Sequence, residues 1–317
     1  MTKRNYIQNK VATSSFTLPV AAVITILSWC CSEHIWSTRI IHCLLVFACT
    51  YLLIILDTTY SLIRTRSRIG PALFLLCMAI MIPGCTILEV CLALSFVLSL
   101  YMLLNTQQEE RSHLPIRSFQ TFLFLSISIL IHPVVIILLF PYIVAMGTFL
   151  RAWTLRSAIA AILGLLTPFW FLFGWYLITW DTQIPIRIFD LLQNTEILNW
   201  PKLFNTLGWE KWTLIILIIF IGICSITHYL RTKNYDKVHT RMLLNTLVLI
   251  EICLIIGIII LPLYMIELQI MIFTVTSILA GHYFTLDHSK TTRIIFIITI
   301  ICFFILIIQN IWNNLFH

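Results

Sequence analysis

Long apolar runs recur along the whole chain, and they constrain its fold more than any other feature. Runs such as Ile40–Leu62 and Met242–Leu261 are long enough to cross the roughly 30 Å of hydrocarbon in a bilayer. Of the 317 residues, 60% are hydrophobic and only 10% are charged, whereas a soluble domain averages about 25% charged. Because the runs are continuous and do not alternate, they favour helices over membrane strands. The sequence therefore predicts an all-α, polytopic transmembrane helical bundle that forms one domain, residues 1–317.

Hydropathy divides the chain into eleven predicted spans. They lie at 16–31, 40–62, 70–82, 85–104, 118–131, 134–150, 158–180, 212–229, 242–261, 263–284 and 294–312. An orientation with the N-terminus inside and the C-terminus outside places all but four of the 20 Lys and Arg in the cytoplasm, as the positive-inside rule requires. We expect a multi-pass protein of the bacterial inner membrane. Spans three and five have 13 and 14 residues, fewer than the about 17–25 of a full crossing, so their crossing stays open.

Three proline-centred turns, at Pro83, Pro133 and Pro262, join neighbouring spans on the predicted outer side. Irregular backbone below the membrane surface is tolerated only inside protein or beside water. The turns are therefore predicted to line an outward-facing recess. Three ionisable residues lie near them in the sequence, and these are Glu89, His132 and Glu267.

Glu251 lies deeper than these residues, eleven positions before Pro262. At 1.5 Å per helical residue it is about 16 Å from that turn, close to the middle of the bilayer. Ionisable groups at such depth are costly and usually face a bundle interior or water, which favours a functional role. Two structural alternatives stay open: Glu251 as a paired or protonated packing residue, and His132 as a helix-end residue at the headgroups. Asp57 and His282, near cytoplasmic ends, are interpreted as interfacial.

The interval Asp181–Lys211 is the longest stretch predicted to lie outside the membrane on the far side. Its apolar residues are interleaved with charged ones, including Arg187 and Asp190. This pattern predicts an extracytoplasmic amphipathic segment at the interface, serving either as an anchor or as a lid over the recess.

The cysteines and the net charge exclude several classes of site. Most of the 10 cysteines lie inside apolar runs, and only Cys30, Cys31 and Cys85 lie near the far surface, so at most one disulfide is expected. The spacing of Cys and His indicates no metal site, and the sequence identifies no cofactor. The net charge of +7 resides at helix ends, so no nucleic-acid partner is expected.

Two stretches resemble an uncharacterised family of inner-membrane proteins common in Bacteroidetes. They are Arg66–Phe74 and Leu165–Phe169. This resemblance extends over most of the chain and implies no particular activity.

A second resemblance is to exopolysaccharide and O-antigen polymerases, which are membrane glycosyltransferases. The order of the span Thr86–Leu104, the loop Glu109–Arg117 and the tripeptide Ile131-His132-Pro133 is similar to theirs. Those enzymes present an Arg-Gln pair at the head of the earlier span, where this chain has Ile87-Leu88-Glu89. Binding of a lipid diphosphate would therefore depend on Arg39, Arg187, Lys202 or a metal.

Three functions are compatible with these features, and whether the protein is an enzyme stays open. The first is a cell-envelope protein that handles a lipid-linked glycan in the recess. It would use Glu89 or His132 as general base, and its substrate-binding residues would be Arg39, Asp181, Arg187 and Glu267. The second is a proton-coupled transporter or flippase with Glu251 and Glu267 as coupling carboxylates. The third is a non-catalytic subunit of an envelope complex. Expected partners are membrane lipids, a lipid-linked glycan and envelope proteins.

Overall fold

A computed structural model describes residues 11, 14, 16–30, 36–60, 67–81, 85–107, 111–179, 209–287 and 289–316. This part of the chain is 91% helical and contains no strand. The all-α prediction is confirmed. The predicted amphipathic segment lies outside the described residues except for its last three, which begin a helix at Trp209.

Eleven helical segments make up the described part of the chain. They are α1 (Thr17–Cys30), α2 (Trp36–Tyr60), α3 (Ile69–Met81), α4 (Ile87–Asn105), α5 (Leu114–Ile131), α6 (Pro133–Phe149), α7 (Leu155–Thr179), α8 (Trp209–Thr232), α9 (Val238–Ile260), α10 (Met265–Leu286) and α11 (Lys290–Phe316). Segment α6 is irregular, since it opens with a 3₁₀ turn and closes with a π turn.

Eight of these helices are long and apolar enough to cross a membrane, and α1, α3 and α6 are the shorter ones. The fold is therefore that of a multi-pass membrane protein. The prediction of a short fifth span is wrong, because α5 has 18 residues and begins at Leu114. Pro115 occupies its first turn, where proline is well tolerated, and Ser118 and Thr121 bond back to carbonyls within the helix.

Contacts between helices define two ends of the bundle. In α1, Thr25 and Ser28 donate to the carbonyls of Leu75 and Ala79, so α1 and α3 run in the same direction. We name the ends after His132, where α5 stops, and His282, in the last turns of α10. Helix α10 runs from the His132 end to the His282 end.

Helix α10 is the centre of the bundle, since 20 of its 22 residues are buried. It packs against α3, α4, α8 and α9. The approach of α3 is close, because a Cβ added to Gly70 would lie 2.9 Å from the carbonyl oxygen of Ser277. Small residues at such crossings let helix backbones meet without a hydrophobic driving force.

A second close approach joins α5 to α7 at the bundle periphery. Ser126 donates to the carbonyl of Leu165 at 2.6 Å, and a Cβ added to the neighbouring Gly164 would overlap the carbonyl oxygen of Phe119. Helix α7 is otherwise largely exposed on its remaining faces, as a lipid-facing helix would be. Gly164 therefore fixes the distance between these helices.

Replacing Gly164 with alanine is expected to destabilise the protein. The added methyl group meets backbone, which cannot move aside as a side chain can, and overpacking of this kind costs about 1–3 kcal/mol. The change should lower the midpoint of thermal unfolding of the purified protein in detergent. Gly174→Ala in the same helix is the matched control, since nothing lies within 4 Å of a Cβ there. Equal midpoints for the two variants would contradict the packing described.

Candidate functional site

Two of the ionisable residues predicted to surround the recess form a direct contact at the His132 end. The Nε2 atom of His132 lies 3.0 Å from the Oε1 atom of Glu267, and their side chains are 22% and 11% exposed. The ring of Tyr264 meets the imidazole edge-on, with 6.0 Å between ring centres. A carboxylate at this distance orients the imidazole and can exchange a proton with it.

Proline places both members of this pair. The residue before a proline is disfavoured in helical backbone, and accordingly α5 ends at Ile131 while His132 is extended at φ −142° and ψ 113°. On the other side, Pro262 opens a short 3₁₀ turn before α10, which sets Glu267 in the first turn of that helix. An acidic group is stabilised there by the unpaired amides and the helix dipole.

Glu89 lies in electrostatic range of Glu267, so the third predicted residue also belongs to this cluster. Its carboxylate accepts the backbone N–H of Thr86 at 2.9 Å and thereby caps α4. The sequence alone predicts this cap, because Thr86-Ile87-Leu88-Glu89 matches the capping-box pattern. The Cys85 thiol hydrogen-bonds to Glu89 and lies near Lys211. Glu89 therefore has a structural role in addition to any chemical one.

The remaining predicted site residues are placed differently. Arg39 lies near the start of α2, half-buried, at the same end of the bundle. Asp181 and Arg187 lie outside the described residues. Cys30 and Cys85 are free thiols. Among the described residues, no group of three or more His, Cys, Asp or Glu is arranged to hold a metal ion.

Glu251 lies in the bundle interior, on α9 where this helix meets α8 and α10. Its side chain is fully buried, and its Oε1 atom accepts a hydrogen bond from the Thr276 hydroxyl of α10. Its Oε2 atom is buried without a hydrogen-bond partner in the described structure. Burial of a charged carboxylate that has a single hydroxyl partner carries a large desolvation cost.

Gly222 of α8 provides the space that this carboxyl occupies. A Cβ at this position would lie 2.7 Å from Oε1 of Glu251 and 3.7 Å from the Thr276 hydroxyl. The sequence reasoning identified Glu251 but missed Gly222 and Thr276. Neither residue type is unusual in a membrane helix, so no sequence signal distinguishes them.

His282 contradicts its interpretation as an interfacial residue. Only 2% of it is exposed, because α10 is enclosed by other helices along its full length. Asp57, half-buried in α2, is compatible with its prediction.

The arrangement defines the class of the protein as a multi-pass helical membrane protein with buried ionisable groups. Comparison with protein-family models, with curated proteins and with solved structures finds no match to this chain. The two resemblances described above stay predictions.

Gly222→Ala is expected to destabilise the protein by displacing the Glu251 carboxyl. Adding Glu251→Ala should relieve the clash, so that the double variant is more stable than the sum of the single changes predicts. The measurement is a double-mutant cycle on thermal unfolding in detergent, with a coupling energy above about 0.5 kcal/mol expected for residues in contact. Additive effects would contradict the contact, and Gly174→Ala paired with Glu251→Ala is the control.

Proposed function

We propose that the protein is a proton-coupled membrane transporter in which Glu251 carries the proton through the middle of the bundle. The observation that supports this proposal is a fully buried carboxyl, with one oxygen unpartnered, at the junction of α8, α9 and α10. A structural carboxyl of this kind has no evident benefit for packing, since an apolar residue of similar volume would avoid its desolvation cost.

Helix α10 connects this carboxyl to the His132 end of the bundle. Glu267 precedes Thr276, the partner of Glu251, by nine residues, which is about 13 Å along a helix. Gln269 lies between them on the same helix and is buried, and neither atom of its amide has a hydrogen-bond partner among the described residues. Polar atoms buried in this state are costly and favour bound water or a substrate between the two acidic groups in another conformation.

The proposed cycle requires that only the neutral form of Glu251 is buried. A proton enters at the His132–Glu267 pair, where both side chains reach the surface. Glu251 accepts it and becomes neutral, which removes the electrostatic cost of closing the helices around it. Release of the proton on the other side returns the charge and favours opening. Coupling of this kind is the ordinary use of intramembrane carboxylates in pumps and transporters.

Handling of a lipid-linked glycan is the second candidate, and the convergence of Glu89, His132 and Glu267 favours it. A general base and an orienting carboxylate are what glycosyl transfer needs. Two carboxylates beside the imidazole would, however, repel a diphosphate unless Arg39 or a metal ion offset their charge. The acidic cluster fits a proton better than it fits a phosphate. A non-catalytic role in an envelope complex is a prediction that rests on the segment 181–211.

Glu251→Gln is expected to abolish proton movement, because the amide keeps the shape of the side chain but cannot accept a proton. The protein is reconstituted into vesicles that contain a pH-sensitive dye, and a potassium gradient with valinomycin drives protons inward. We expect the variant to show at least a tenfold lower flux than the unaltered protein.

Asp57→Asn is the control for this measurement, since Asp57 is a carboxyl on α2 outside the proposed path. Flux through Glu251→Gln equal to that of the control would contradict the transport proposal. The glycan-handling candidate would be favoured instead if His132→Gln or Arg39→Gln abolished glycan transfer while Glu251→Gln left it unchanged.

The orientation predicted from basic residues is tested with reporter fusions. Alkaline phosphatase is active only outside the cytoplasm, so a fusion after Lys202 should be active and one after Lys237 inactive. A fluorescent protein that folds only in the cytoplasm should give the opposite pattern at the same two positions. The reverse outcome at both positions would invert the orientation and the direction of transport with it.

A further inference from the structure

A second cluster of ionisable residues lies at the opposite end of α10, where the proposed function gives it no role. His282 places its Nε2 atom 3.5 Å from Oδ2 of Asp236, in the turn between α8 and α9. Their side chains are only 3% and 4% exposed. The pair is within ion-pair distance, yet Nε2 of His282 makes no hydrogen bond in the described structure. A buried pair held this loosely can exchange its proton without breaking a strong bond.

A second imidazole–carboxylate pair lies beside the first. Nε2 of His228, on α8, is 3.8 Å from Oδ2 of Asp287, and the rings of His228 and His282 are 6.4 Å apart. Asp287 accepts the hydroxyl of Thr292 at 2.6 Å and the backbone N–H of Ser289 at 2.9 Å. Partial burial alone would raise the pKa of Asp287, but these hydrogen bonds and the nearby His228 outweigh it and hold the pKa below its ordinary value.

Other polar groups surround the two histidines from each neighbouring helix. The ring of Tyr229 meets the His282 ring edge-on, with 6.2 Å between ring centres. The Tyr229 hydroxyl lies 2.7 Å from the side-chain oxygen of Asn245. It is also within electrostatic range of Asp236 and Arg241. The ring of Tyr283 lies 5.1 Å from that of His228 and is tilted by 54° to it, and Tyr283 is within electrostatic range of Cys224. The two imidazoles therefore meet the carboxylates of Asp236 and Asp287, with the Arg241 cation in range of the neighbouring Tyr229.

We propose that His228, His282, Asp236 and Asp287 form a second proton-exchange site, which passes protons between Glu251 and the water at the His282 end. This inference rests on the proposed transport function and extends it by naming where the proton leaves the bundle. The ligand of the site is a proton, carried to and from it by water.

The charges of the cluster explain why it would bind a proton that can be released. With both carboxylates ionised, the cluster is neutral only when both imidazoles are protonated. Two imidazolium rings 6.4 Å apart repel each other, so the second proton binds more weakly than the first. The inner pair is nearly dry, whereas the side chains of His228 and Asp287 are 12% and 24% exposed. A proton accepted by His282 can therefore leave through His228 to water.

The position of the cluster on α10 also fits this role. His282 follows Thr276 by six residues, about 9 Å along the helix. On α8, His228 follows Gly222, which contacts Glu251, by the same number of residues. The two helices that enclose Glu251 are thus the ones that hold the two histidines. The proton would cross the interval between them on water admitted when the helices separate.

The first arm of the test uses the unaltered full-length protein in lipid nanodiscs, with its histidines labelled with ¹⁵N. The rings of His228 and His282 are assigned with His228→Gln and His282→Gln and titrated between pH 4.5 and 9. We expect the pH response of each ring to change when the other histidine is replaced, because groups that exchange a proton are coupled. The exposed His113 is the control, and its response should be unchanged by these replacements. Independent titration of the two rings, or none in this range, overturns the inference.

The second arm measures proton flux in vesicles for His282→Gln and Asp236→Asn, whose side chains keep the size of the originals. Folding is checked by gel filtration and thermal unfolding. The inference is supported if both variants lose at least tenfold in proton flux while the control His113→Gln keeps the flux of the unaltered protein. Flux within twofold of the unaltered protein, while Glu251→Gln abolishes it, overturns the second site and leaves the transport proposal standing. Undiminished flux in Glu251→Gln overturns the transport proposal itself, and the second site falls with it.

Discussion

The enclosure of α10 by its neighbours is the constraint on which the rest of the structure depends. A helix with 20 of 22 residues buried gives its polar side chains access to water or lipid headgroups only near its ends. Its polar side chains must therefore find partners within the protein or remain unsatisfied, and Thr274, Ser277 and Thr285 find them in carbonyls of α10 itself. Glu267 meets His132, Thr276 meets Glu251 and His282 meets Asp236. The ionisable groups of the bundle are thus organised along one buried element.

Much of this architecture was predictable because the membrane restricts what a chain can form. The number and order of the apolar segments agree with the structure, since hydrocarbon admits only helices of limited length. The gathering of Glu89, His132 and Glu267 at one end was also predictable. Each lies near a break between helices, and a proline in the sequence (Pro83, Pro133 or Pro262) indicates each break. The proximity of these three residues therefore follows from the sequence, while their role as a site stays a prediction.

Pairings between distant helices were not predictable, because hydropathy describes one helix at a time. Nothing in the sequence around Asp236 indicates that its carboxylate faces His282, 46 positions later. His282 was assigned to the interface from its nearness to a helix end, which says nothing about lateral burial. Gly222 and Thr276 become meaningful only when Glu251 is placed between them. The capping role of Glu89 differs from these pairings, because the capping-box pattern Thr86-Ile87-Leu88-Glu89 is local and predicts it from the sequence alone.

The contact of Asn310 with α3 has a consequence for the biosynthesis of the protein. The side-chain amide of Asn310, near the end of α11, donates to the carbonyls of Ala79 and Ile80, 3.4 and 3.3 Å away. These carbonyls belong to the last turn of α3, where a helix has no N–H donors of its own for its carbonyl oxygens. The Ala79 carbonyl also accepts from Ser28 of α1, whereas the residue that donates to Ile80 is translated 230 positions later. The bonding of this short early helix is thus completed only when α11 has been inserted beside it, so this corner of the bundle forms late in assembly.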